Sequence, residues 1–132
     1  MKWKMGLTLG SKQKEFRWRY SKANGLVIIR TFKNGNKKTE FSNEDIDSII
    51  NFIKEEGIVP LANNVVKLSN GTEKEGIGRF IYQNISNDTT NAQTASQLAS
   101  ILYNTGVLGY NGAVRGMEFW ILDDNWKEKL EK

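Results

Sequence analysis

The sequence predicts an α+β fold: an antiparallel β-meander of three or four strands packed on a helix, then a helical segment and a C-terminal β-hairpin. Three observations predict it. Apolar and polar residues alternate with a period of two through much of residues 2–41. Ile46, Ile49, Ile50 and Ile53 then recur at helical spacing. Four Asn-Gly pairs, at Asn24-Gly25, Asn34-Gly35, Asn70-Gly71 and Asn111-Gly112, supply the positive φ angles of tight turns and mark where the chain folds back.

Taken in order, Trp3, Met5, Leu7 and Leu9 alternate with Lys2, Lys4, Gly6 and Thr8, which reads as a half-buried strand with its apolar set inward. Phe16, Trp18 and Tyr20 alternate with Arg17 and Arg19 in a second strand. Leu26 to Phe32 is apolar on both parities until Arg30, the pattern of an interior strand with both faces covered. Lys37 to Phe41 follows the Asn34-Gly35 turn as a fourth. Ser42 and Asp45 form a capping box, Glu44, Asp45 and Asp47 suit the positive end of a helix dipole, and the isoleucine stripe runs on to a stop at Gly57. This helix is expected to cover the aromatic face of the meander.

Pro60 makes Ile58 to Leu61 an extended connector or short strand. Thr72 and Glu75 offer a second capping box before a helix carrying Ile77, Phe80 and Ile81, which Gly76 and Gly78 weaken. Ser86 to Asn91 is turn-like. Ala92, Ala95, Leu98, Ala99 and Leu102 then predict a helix stopped by Gly106. Val107 and Leu108 pair across the Asn111-Gly112 turn with Val114 to Leu122. Asp123 to Lys132 is charged around Trp126 and Leu130, a docking helix or a tail. At 132 residues one core is expected, so residues 1–132 form a single domain. Its subregions are 1–57 (meander plus helix), 58–122 (helices plus hairpin) and the tail 123–132.

Composition narrows the function. The chain has no cysteine and no histidine, which removes disulfides, thiolate zinc sites, cysteine nucleophiles and the usual general base near neutral pH. No dinucleotide or phosphate-loop fingerprint is present, since Ile81 stands where Gly76-Ile77-Gly78 would need a third glycine. A non-enzymatic protein without cofactor or metal is expected. No stretch has the makeup of a signal peptide or membrane span, and a cytoplasmic location is expected with it.

Charge is distributed unevenly. Residues 1–41 hold 8 Lys and 3 Arg against Glu15 and Glu40, a net charge of +9, whereas the remainder carries −5 within a total of +4. Such a field attracts nucleic acid or an acidic protein. Because strand side chains alternate, Arg17 and Arg19 must face away from the aromatic core. With Lys12, Lys14, Lys22, Lys37 and Lys38 they are candidates for a basic sheet face that contacts DNA or RNA phosphates.

A meander followed by a helix, as in residues 2–56, is similar in outline to single-strand-binding domains that use a basic curved sheet. The helix and hairpin of the last third resemble the closing part of a winged-helix domain, which would make Arg115, near the hairpin tip, a further contact. No motif matches either class residue by residue, and Ala92 to Asn104 carries no Lys or Arg for reading a groove. The alternative is a protein-protein interaction or self-associating module. An exposed strand of Trp3, Met5, Leu7 and Leu9 would favour it, because unpaired edges recruit other chains.

Overall fold

The computed structural model describes residues 2–132. Strands β1 (Lys4–Leu7), β2 (Glu15–Ser21), β3 (Gly25–Phe32) and β4 (Gly35–Phe41) form an antiparallel sheet in that order. The meander therefore has four strands, with β1 and β4 at its edges. Phe16, Trp18 and Tyr20 of β2 and Leu26 and Ile28 of β3 are buried on its inner face.

β1 is inverted relative to expectation. The register sets Met5 opposite Arg17 and Leu7 opposite Glu15, on the outer face, and Gly6 opposite Phe16 on the inner one. Met5 and Leu7 are accordingly 63% and 46% exposed. Gly6 supplies the physical reason. The Phe16 ring lies directly against it, and a Cβ at Gly6 would sit 2.4 Å from a ring carbon. Its neighbour Lys4 lays its stem across Trp18, with Nζ 4.8 Å from the ring centroid, and donates to the Lys132 carbonyl at 2.9 Å. Only Leu9, beyond the strand, packs back against the core.

The interior strand β3 is buried on both parities through Leu26, Val27 and Ile28, as expected, and departs from that pattern only at its far end. Arg30 shares the inward parity of Leu26 and Ile28 and is itself buried, while Ile29 on the outer face is half-exposed.

Helix α1 (Asn43–Glu56) begins at the expected capping box, with Asp45 N–H donating to Ser42 Oγ and Ser42 N–H to Asp45, each at 3.0 Å. It ends at Gly57, where φ is 86°. Its four isoleucines are buried in the core that also takes in the sheet aromatics. Strand β5 (Val59–Pro60) joins β6 (Leu108–Tyr110) and β7 (Glu118–Ile121) in a second sheet of order β5-β7-β6, so the C-terminal hairpin is shorter than expected and has a third strand beside it.

Between them lie α2 (Val65–Asn70), α3 (Ile77–Asn84), α4 (Thr89–Gln93) and α5 (Ala95–Asn104). The second capping box does not form. Thr72 instead closes α2 by donating to Lys67 O and to Asn70, and α3 starts at Ile77 without a side-chain cap. Gly78 is needed there for close approach, since its N–H bonds Leu61 O at 2.7 Å and a Cβ would meet Ala62 O at 2.5 Å. The single helix expected from Ala92 is divided at Thr94, whose hydroxyl bonds Thr90 O and lies 3.2 Å from the Thr39 hydroxyl of β4.

The tail forms helix α6 (Trp126–Glu131) and docks. Trp126 and Leu130 are buried, the indole packs edge-on against Tyr20, and its N–H donates to Asp47 at 2.8 Å. One contiguous apolar core thus runs from Phe16 in β2 to Leu130 in α6.

Candidate functional site

The charged residues singled out in the sequence occupy several surfaces. Arg17, Arg19 and Lys38 lie on the outer sheet face, as their register with Met5, Ile29 and Val27 requires. There the two guanidinium groups sit 5.8 and 4.4 Å from the Trp3 ring, and Lys38 is 3.0 Å from Glu40. Lys37 has the opposite parity, across from Arg30. Lys22 lies beyond β2 and pairs with Glu131 at 3.7 Å. Lys12 and Lys14, from the loop between β1 and β2, meet Arg115, from the loop between β6 and β7, around a groove away from the outer face. The outer face is therefore a mixture of Arg17, Arg19, Trp3, Met5, Leu7 and Ile29 rather than a field of lysines.

The two edges of the meander differ in kind. β4 presents Asn36, Lys37, Lys38 and Glu40, the charged dressing that discourages pairing. β1 presents Met5 and Leu7. Alongside β1 runs a groove of about 1120 Å³, floored by Ser100, Ile101 and Asn104 of α5 and lined by Lys4, Lys129 and Lys132, with Glu15 as the one acid. Thr8 N–H bonds Lys14 O back across the sheet, whereas Leu7 O turns the other way and accepts from Ser100 Oγ at 2.5 Å. Backbone direction alternates along a strand, so the N–H and C=O of Met5 and the N–H of Leu7 also point into the groove. Among the described residues no group outside the sheet bonds them.

The second groove, of about 530 Å³, lies where the end of β3 meets α4, α5 and the two loops. Arg30 reaches into its wall. Its Nη2 donates to Thr90 O at 2.9 Å, but its Nε is buried without a partner. Among the described residues no carboxylate lies within 4.0 Å of this guanidinium. Burial pulls its proton affinity below the ordinary arginine value, an effect that the charge of Asp88 partly opposes. Gln97 of α5 lines the same groove, and its Oε1 is likewise buried and unbonded.

Arg30 and Gln97 were missed as site residues by reading charge alone. The signal for Arg30 was its parity, since a cation in phase with Leu26 and Ile28 has to be buried. Gln97 had no such signal, being one of several polar residues on its helix and lying between Ser96 and Leu98.

Among the described residues no cluster of three or more metal-ligating acidic side chains occurs, and no helix is long and apolar enough to cross a membrane. Comparison with protein-family models, curated proteins and solved structures gives no match.

Proposed function

We propose that this protein is a binding module that takes an extended, acidic segment of a partner protein as an added strand along β1. The observation that carries the reading is the open β1 edge, with unbonded backbone groups at Met5 and Leu7 facing a groove. An added strand satisfies those groups with main-chain hydrogen bonds and places alternate side chains in the groove and on the outer face. Lys4, Lys129 and Lys132 line the groove against Glu15 alone among its lining acids, and although Lys129 lies 3.5 Å from Asp123 and Lys4 donates to Lys132 O, the balance favours a segment bearing Asp or Glu. The exposed neighbours also fit, because Trp, Met and Arg are enriched at protein interfaces.

A displayed library of ten-residue random peptides tests this. Selection is expected to enrich peptides that alternate apolar residues with Asp or Glu, and M5D/L7D, which sets two like charges beside such a segment, is expected to abolish their binding while leaving the thermal transition in place. Failure to enrich such peptides, or equal binding by the double variant, would sink the proposal.

A second reading, nucleic-acid binding, has one observation of its own: Arg17 and Arg19 flank the Trp3 ring, and a ring beside cations is how single strands are stacked and held. It predicts oligonucleotide affinity that falls with salt, with a log-log slope shallower by roughly 1.4 to 1.8 in R17Q/R19Q.

A further inference from the structure

We infer that the groove holding Arg30 is a binding site for a small phosphorylated molecule of mononucleotide chemistry, adjoining the peptide groove along β1. The first support is electrostatic. Arg30 is a cation only 8% exposed, with no carboxylate in contact; its Nη2 bonds Thr90 O, its guanidinium lies 5.4 Å from the Phe32 ring, and its Nη1 has no hydrogen-bond partner. A buried charge left in that state is costly, and an anionic oxygen in the groove relieves it.

The surrounding charge has the same sense. Lys12, Lys14 and Arg115 line the groove with Arg30, against Glu15 alone among acids. A guanidinium and flexible ammonium groups together are the means by which proteins hold phosphate.

Size and the second unbonded group define the rest of the ligand. About 530 Å³ falls within the range of small-molecule sites and far exceeds the space of a bare phosphate ion. Gln97, also 8% exposed, lines the same wall with a side-chain amide that makes no hydrogen bond, so the ligand carries a group that pairs with an amide, such as a base edge or a sugar hydroxyl. Phe32 lines the groove with its ring half-exposed, a surface on which a planar base stacks.

Calorimetric titration of the intact protein tests the inference, using AMP, GMP, CMP and UMP, with adenosine and inorganic phosphate as partial ligands. At least one mononucleotide is expected to bind tenfold or more tightly than either partial ligand. R30K keeps the charge but removes the planar guanidinium with its several donors, and R30M removes both. Losing a charge-assisted hydrogen bond in a buried site predicts about 10- to 100-fold weaker binding for R30M.

R115Q alters an exposed loop residue and is expected to weaken binding severalfold without touching the fold, so the inference stays testable if Arg30 variants misfold. Binding by none of the four nucleotides, affinity equal to that of inorganic phosphate, or unchanged affinity in both R30M and R115Q would overturn it. A 5′-phosphorylated tetranucleotide binding tenfold better than any mononucleotide would overturn the assignment to a free nucleotide in favour of strand ends.

Discussion

Replacing Arg30 by Met should make the unliganded protein more stable. Met follows the path of the arginine stem and fills similar space, so little of the packing against the sheet is lost. On the debit side stands the hydrogen bond from Nη2 to Thr90 O, worth about 1 kcal/mol, and a similar amount for the carbonyl it leaves behind. On the credit side, the variant no longer buries a guanidinium that has no contacting carboxylate and an unbonded Nε–H. Relieving an imperfectly paired buried charge is worth roughly 1 to 4 kcal/mol. The balance runs from about −1 to +2 kcal/mol and is centred on a gain of about 0.5 kcal/mol, or roughly 2 °C in Tm for a chain of this size. Differential scanning calorimetry without ligand reads it directly. A Tm lowered by several degrees would mean that the guanidinium is well satisfied in the native state, and the reasoning behind the nucleotide groove would fail with it.

Other consequences are open to simpler assays. I49D should abolish the cooperative thermal transition, because Ile49 is fully buried and an unpaired carboxylate there costs several kcal/mol against a total of about 5 to 15. W126F should cost about 1 to 3 kcal/mol in urea unfolding, since it leaves the core largely filled but removes the indole N–H donated to Asp47. G6V should destabilise strongly by the same assay, as its side chain must displace the Phe16 ring. Burial, with the charges of Glu131 and Asp47, raises the Tyr20 phenol above its ordinary value of 10.0. The folded state therefore holds that proton more tightly, so its contribution is complete below pH 10 and is lost as pH rises through the folded value. Stability curves at alkaline pH should show this loss in the parent and less of it in Y20F.

The sequence made the elements legible where a local rule had only one solution. The capping box at Ser42 and the isoleucine stripe specify α1 because both partners of each contact lie within a few residues. The direction of β1 was not legible in the same way. Alternation fixes that two sets of side chains point oppositely, but which set is buried depends on what packs there. A glycine that admits the Phe16 ring outweighed three apolar residues. Likewise Ala92 to Asn104 reads as one helix after a turn, whereas the helix starts at Thr89 and is broken at Thr94, which meets Thr39 in a contact between distant parts of the chain. The candidate site followed the same division. Arg17 and Arg19 could be placed on the outer face by parity alone, but the convergence of Lys12, Lys14 and Arg115 depends on two loops that only the tertiary structure brings together.

Amide hydrogen exchange of β1 tests the central claim most directly. In the free protein the Met5 and Leu7 amides point into an open groove and should exchange quickly, while Gly6, directed back into the sheet, is protected. Adding a selected acidic peptide should slow exchange at Met5 and Leu7 by tenfold or more and leave the β4 edge unchanged. If a bound peptide leaves those two amides as fast as before, it is not paired with β1 and the strand-addition account is wrong.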